Sequence, residues 1–179
     1  STSDLSKVSS LSSPFAYCES LEEVNLPNNI GSSHLLTTVA SVFSNCYSIK
    51  SIDFSKIDLS AVTNINTICT TCYSLEEFIP PTTEPVGASA TNTATGLFQY
   101  CITLKELDLS WYDCSAWNYS TVQYSDIFGY SINIQELVPM TNISKTFTIS
   151  APNLSHDSLV ALFNNLATVG RTKLNNYYM

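Results

Sequence analysis

The sequence predicts an α/β solenoid. A short parallel β-sheet should run along one face, irregular helices and turns along the other, with a helical cap at the C-terminal end. Three observations carry this. First, five segments share one template: an aromatic or apolar residue, two spacers, Cys, one spacer, Ser or Thr, Leu or Ile, two spacers, an apolar residue, one spacer, an apolar residue. They begin at Phe15, Phe43, Cys69, Phe98 and Phe128, which lie 28, 26, 29 and 30 residues apart. Periods of roughly 20–50 residues mark stacked units that share one elongated core. Second, each copy ends in an apolar triplet of the form L-x-x-L-x-L, such as Leu104/Leu107/Leu109. Third, the pattern changes after about residue 144 to an amphipathic helical one, as an end cap requires.

The elements follow in order. Residues 1 to 14 are Ser-rich and read as a loose segment or a degraded repeat. Residues 15 to 144 hold about five repeats. Within each triplet, period-two alternation turns the apolar residues inward along a short strand. The triplets are Leu21/Val24/Leu26, Ile49/Ile52/Phe54, Leu75/Phe78/Pro80, Leu104/Leu107/Leu109 and Ile134/Leu137/Pro139. Between strands, Ile57 matches Tyr112, Leu59 matches Cys114 and Val62 matches Trp117 as inward anchors. The stretch before each Cys is expected to form a short helix or turn behind the sheet. Pro80 to Gly96 is rich in Pro, Thr and Ala and predicts an irregular surface loop. Residues 145 to 179 form the cap and tail. Lys145 to Ser150 alternates like a strand, and Ala151 to Gly170 reads as a helix. Ser155 is its expected N-cap, Asp157 complements the dipole in the first turn, and Gly170 is its stop. Leu159, Leu162, Phe163 and Leu166 share one face.

The L-x-x-L-x-L form is that of a leucine-rich-repeat solenoid. The run F-x-x-C-x-S-I-x-x-I-D-F-S at Phe43 to Ser55, followed by K-I-D-L-S-A-V-T-N-I at Lys56 to Ile65, resembles the BspA-like leucine-rich repeat family. Asn153 to Ala167 is similar to the helical segment that closes such arrays. The resemblance spans roughly residues 15 to 167. It implies a surface or secreted recognition protein of the adhesin type, or a component of a phage particle such as its tail. The chain departs from the pattern at Cys69 (for an aromatic), at Ser131 (for Cys) and in the Pro80 to Gly96 loop.

Composition narrows the partners. Apolar residues make up 44% and charged residues only 12%, about half the usual share of charge. Such an uncharged polar surface suits an extracellular, cell-surface or virion protein. The net charge of -8 argues against a nucleic-acid partner and against docking on anionic membranes. No apolar stretch is long enough to span a bilayer, so direct membrane insertion is not expected. The Ser-rich opening shows no leader, and the chain is read as a mature form or a fragment.

Candidate sites then follow from the register. Residues flanking the middle apolar position of each strand point outward. One column holds Glu23, Ser51, Glu77, Glu106 and Glu136; the other holds Asn25, Asp53, Ile79, Asp108 and Val138. The bland reading is a solvated face. The sharper one is a face for a basic protein partner or a cation. Trp111 aligns with Lys56 and is expected to be exposed; with Tyr119 it forms an aromatic candidate for a protein or glycan receptor. The partner-binding candidates are therefore Glu23, Asp53, Glu77, Glu106, Asp108, Glu136, Trp111 and Tyr119. Attachment to a larger surface or virion protein is the other expected partnership. Cys18, Cys46, Cys72 and Cys101 occupy one template position and are expected as a buried column of small apolar groups. A zinc site on Cys69-x-x-Cys72 lacks a second ligand pair, and a disulfide through Cys69 or Cys114 stays open. No nucleophile, phosphate-binding or metalloprotease motif is present, so neither a catalytic residue nor a cofactor or metal is expected. The leading function is non-enzymatic recognition or adhesion; the rival is a structural spacer or assembly part of a virion or surface layer.

Overall fold

The computed structural model describes residues 4–83, 96–115, 127–143 and 151–166. Its strands are β1 (Ser51–Asp53), β2 (Glu77–Ile79), β3 (Glu106–Asp108) and β4 (Glu136–Val138), followed by helix α1 (His156–Asn164). β1 pairs with β2 and β3 with β4, both in parallel, as two two-stranded sheets. Each strand is three residues long, with its middle side chain buried and its flanks more exposed. The first triplet, Leu21 to Leu26, forms no strand, although Lys50 N–H reaches back to Glu22 C=O at 3.3 Å. Lys145 to Ser150, Trp117 and Tyr119 lie outside the described residues.

Successive copies of the template are joined by two backbone ladders. On the strand side, Ser48 N–H donates to Glu19 C=O, Ser74 to Tyr47, and Gln135 to Lys105. On the opposite corner, Leu11, Ser13, Phe15 and Tyr17 donate to Thr38, Ala40, Val42 and Ser44. The next copy repeats this: Val39, Ser41, Phe43 and Asn45 donate to Asn64, Asn66, Ile68 and Thr70. Cys69 and Thr71, then Phe98 and Tyr100, continue the row. The corner requires left-handed backbone at two positions per copy. These are Ser13 and Tyr17, Ser41 and Asn45, Thr67 and Thr71, Gly96 and Tyr100, and then Tyr130, with φ between 52° and 64°. Turns fill this corner; no α-helix other than α1 occurs among the described residues.

Left-handed φ is costly for a β-branched residue. Thr71 holds the position that Asn45 holds one copy earlier, and Asn tolerates that conformation. Thr71→Asn should therefore raise stability by about 0.5–1 kcal/mol, read as a higher urea midpoint.

One apolar cluster runs from Leu26 through Leu162. The expected anchors Ile57, Leu59, Val62, Tyr112 and Cys114 are all inside it. Phe15 stacks on Phe43 with centroids 5.3 Å apart. Cys69, at the aromatic position of the third copy, is fully buried but small. The missing volume is supplied by Phe78, whose ring meets Phe54 at 5.3 Å and Phe98 at 4.8 Å. A large residue on the strand thus compensates a small one at the turn, as close packing demands.

The cysteine column does more than fill space. Cys46 Sγ donates to Phe15 C=O, Cys72 to Phe43 C=O and Cys101 to Cys69 C=O, at 3.0–3.1 Å. Ser131 Oγ makes the same bond to Phe98 C=O, so its substitution for Cys preserves the link. All six thiols are free, and Cys18 is exposed rather than buried, because it begins the column and no earlier copy is described against it. Burial raises the Cys46 pKa to about 12 and pushes Cys69, Cys101 and Cys114 up as well. A thiol reagent should label Cys18 in the native protein and the other five only after unfolding; native labelling of more than one thiol would contradict this burial.

Helix α1 begins as expected. Ser155 is the N-cap, its Oγ accepting from Ser158 N–H, and Asp157 lies in the first turn. The helix ends at Asn164, earlier than the anticipated stop at Gly170, which lies outside the described residues. Leu162 is buried, but Phe163 is 46% exposed. The helix buries a narrow stripe against β4 and leaves that ring at its edge. Ser155 N–H bonds Gln135 C=O, and Ser158 Oγ accepts from Leu137 N–H, so the helix covers the outer edge of β4.

Candidate functional site

The strand face carries the charge that the alternation places there. Register puts Ser51 beside Glu77 and Glu106 beside Glu136; in the second column Asp53 faces Ile79 and Asp108 faces Val138. Strands in a ladder sit about 4.8 Å apart, where two like charges repel by about 1 kcal/mol in water. Protein donors hold several of these carboxylates. Glu77 accepts from Ser51 Oγ at 2.8 Å. Glu136 accepts from Ser155 Oγ at 2.8 Å and Ser158 Oγ at 3.1 Å. Asp108 accepts Ser110 N–H at 2.8 Å. The Glu106 side chain has no hydrogen-bond partner among the described residues. An open groove of about 1040 Å³ runs over β2, β3 and β4, and among the described residues the only positively charged one lining it is Lys105.

Two of the expected carboxylates do not join this groove. Asp53 is a local structural group: its Oδ1 accepts Ser55 N–H at 3.0 Å, and Lys56 Nζ approaches its Oδ2 at 3.5 Å. Burial opposes its ionisation, but the Ser55 bonds and the Lys56 charge outweigh that and hold its pKa low. Lys56 also reaches Asn25, so the β1 end of the face is locally neutralised. Glu23 is exposed and lies outside the groove. The acidity is therefore concentrated over β2, β3 and β4.

Trp111, expected at the surface, is buried. It is 6% exposed, not presented to solvent. Its indole N–H donates to Asp108 C=O at 2.9 Å, and the ring meets Phe78 at 6.4 Å and Tyr112 at 5.8 Å. Lys56, at the matching position, carries a charge that disfavours such burial. An indole there gains by folding onto the core, since its one polar atom finds a carbonyl. Tyr119 lies outside the described residues.

The exposed aromatics are elsewhere. Tyr47 stacks on Tyr73 at 5.3 Å, and Tyr100 on Tyr130 at 4.7 Å with planes 6° apart. These residues flank the Cys position on the corner of the stack, and Tyr130 is 60% exposed. In the sequence they are template spacers; the signal that could have found them is their recurrence on either side of Cys in successive copies. His34 is tied to Ser60 at 2.6 Å and to Asp58 at 3.2 Å, away from the groove. No cluster of three or more metal-ligating side chains occurs among the described residues. No helix of the described residues is long and apolar enough to cross a membrane.

No protein family, curated protein or solved structure matches this chain.

Proposed function

We propose that the chain is a leucine-rich-repeat solenoid of the BspA-like kind that works as a non-enzymatic recognition module, binding a basic region of a protein partner at a cell or particle surface. The observation that carries this reading is the groove over β2, β3 and β4, where Glu76, Glu77, Glu106, Asp108 and Glu136 face a single lysine among the described residues. A cationic partner relieves the repulsion between stacked carboxylates, and the hydrogen bonds to Glu77, Glu136 and Asp108 prepare them in advance. The carboxylates form a row on an open face, which suits binding better than acid–base chemistry in an enclosed pocket. Parallel ladders between copies make the face a preformed surface, lowering the ordering cost of association.

A glycan is the second reading. The stacked tyrosine pairs favour it, because aromatic rings bind sugar faces and Tyr130 is largely open.

The test is binding of the labelled chain to a panel of bacterial and animal cells, alongside Glu77→Lys/Glu106→Lys. Charge reversal should weaken selective binding at least about tenfold. Undiminished binding by the variant would reject the strand face and move the site to the tyrosine corner.

A further inference from the structure

The residues that flank the cysteine column form a second surface, on the bend that precedes each strand. From two residues before each Cys position to two after it, the five copies run Ala16–Ser20, Ser44–Ser48, Thr70–Ser74, Gln99–Thr103 and Gly129–Asn133. Glu19 is the single charge in these segments. Charge returns two residues further on, at Glu22, Lys50, Glu76 and Lys105, at the edge of the strand face. The residue just before Cys is Tyr17, Tyr100 or Tyr130 in three copies; the residue just after is Tyr47, Tyr73, Ile102 or Ile132 in four. Tyr17 is 71% and Ile132 48% exposed, and Tyr73, Tyr100, Ile102 and Tyr130 are exposed as well. Tyr47 stacks on Tyr73 and Tyr100 on Tyr130, each across two copies. Partial desolvation, then the nearness of Glu19, Tyr73 and Tyr17, pushes the Tyr47 phenol pKa up, which joins the two columns into one strip at that end.

The strip is fixed before anything binds. Tyr17, Asn45, Thr71 and Tyr100 donate their amides to the next copy. On the other side of the column, Thr103 Oγ1 holds Tyr73 C=O at 2.9 Å, Asn133 Nδ2 holds Ile102 C=O at 2.6 Å and Asn153 Nδ2 holds Ile132 C=O at 2.7 Å. A contiguous exposed apolar patch with a polar rim marks an interaction site, and tyrosine supplies contact area at low entropic cost. Three properties name the occupant. The strip carries no charge beyond Glu19, so a chain of net charge -8 meets itself here with little repulsion, unlike on the acidic strand face. Its side chains recur at the spacing of the copies, about 4.8 Å, and a second copy of the chain repeats at the same interval, so knobs of one strip meet gaps of the other along its whole length. The six exposed residues each present roughly 100 Å², about half of a large side chain, so two strips together cover roughly 1,200 Å², the lower end of the range for specific interfaces. A sugar needs open ring faces, and each stacked pair closes one face of both rings. Glu19 sets the orientation. In an antiparallel pairing the first copy faces the fifth, and the two Glu19 carboxylates lie about 19 Å apart along the strip, four copy spacings; a parallel pairing sets them side by side.

We propose that the Tyr–Ile strip beside the cysteine column is the two-fold contact of a homodimer, in which two copies of the chain pair their strips antiparallel with Tyr73 near the axis. A two-fold contact uses the same patch on both protomers, as a self-complementary strip allows. The contact lies apart from the strand face, so neither reading depends on the other. The dimer carries two acidic grooves, which makes recognition of a surface bivalent and raises avidity without a new contact to the partner.

The test is sedimentation velocity of the full chain in reducing buffer, from about 1 to 200 μM, where a reversible step from one protomer to two should appear with a Kd on the order of tens of micromolar. Ile102→Asp/Ile132→Asp should raise that Kd at least about tenfold. Both side chains are exposed, so circular dichroism and the urea midpoint of this variant should stay those of the parent. Tyr130→Ser, a milder surface change, should weaken the dimer about threefold or more. Glu77→Lys/Glu106→Lys should dimerise as the parent does, and about 0.5 M salt should leave the dimer intact, because the contact is apolar. A nitroxide on the exposed Cys18 should report an inter-label distance of roughly 20 Å or more in the dimer; a distance under about 15 Å would overturn the antiparallel pairing. A chain that stays monomeric throughout, a dimer indifferent to Ile102→Asp/Ile132→Asp, or growth beyond two protomers would overturn the homodimer and leave the strand-face reading untouched. Loss of cell binding by the Asp variant of a monomeric chain would give the strip to a receptor or glycan instead, and would also overturn the self-contact.

Discussion

Leu107→Glu should lower unfolding stability by about 3–5 kcal/mol, while Glu106→Leu, one residue away, should stay within about 0.5 kcal/mol of the parent. Leu107 is 3% exposed, sits opposite Leu137 in the β3–β4 register and belongs to the continuous core. A carboxylate there loses its hydration and gains no positive partner. Glu106 lines the groove, and its side chain has no hydrogen bond to lose among the described residues. Burial should raise the folded-state pKa of the introduced carboxyl group above its unfolded value. The folded variant then binds more protons than the unfolded chain, so the penalty grows as pH rises from about 4 toward 7. Urea unfolding at the two pH values measures both effects. Equal midpoints for the two substitutions at pH 7 would mean that the strand register is shifted by one residue.

Ser131→Ala should cost about 1–3 kcal/mol, although it removes one oxygen atom. Ser131 is fully buried between the fourth and fifth copies. Its hydroxyl donates to Phe98 C=O and accepts from Cys101 N–H at 2.9 Å. Alanine would leave that carbonyl without its cross-copy donor. It would leave the Cys101 amide with only a long 3.4 Å contact to Phe98 C=O. Ser131→Cys should cost about 1 kcal/mol or less, since Cys46, Cys72 and Cys101 make the equivalent S–H bond in the other copies. Thermal unfolding of both variants distinguishes a hydrogen-bonded link from packing alone. If alanine and cysteine were equally tolerated, the column would act only as filler.

The parts legible in the sequence are those set by periodicity. Alternation about Ile52, Phe78, Leu107 and Leu137 puts four middle residues inside and Glu77, Glu106 and Glu136 outside, and the structure has them so. Ser155 is readable as a helix cap because capping chemistry is local. Trp111 is misplaced by its alignment with Lys56, which compares positions but not the volume available beside Phe78. The left-handed corner is hardly readable, since Tyr, Thr and Ser occupy most of it and only Gly96 and Asn45 are residue types that favour positive φ. The hydrogen-bonding role of the cysteines is also hidden: a recurring Cys suggests a small buried group, and only Ser131 in its place hints at a donor. The lack of pairing between β2 and β3 depends on how two copies rest against each other, which pattern within a single copy cannot express.

The corner ladder gives the molecule a direction. In every described bond of that row, from Leu11 to Tyr100, the amide of the earlier copy points at the carbonyl of the later one. Peptide dipoles aligned in this way add, whereas those across the paired strands alternate and largely cancel. The row therefore acts as an electrical arrow along the stacking direction, with its negative tail of outward carbonyls near Phe15 and its positive head of outward amides near Tyr130. Another row could continue this one at either end in a single orientation only, amide head to carbonyl tail.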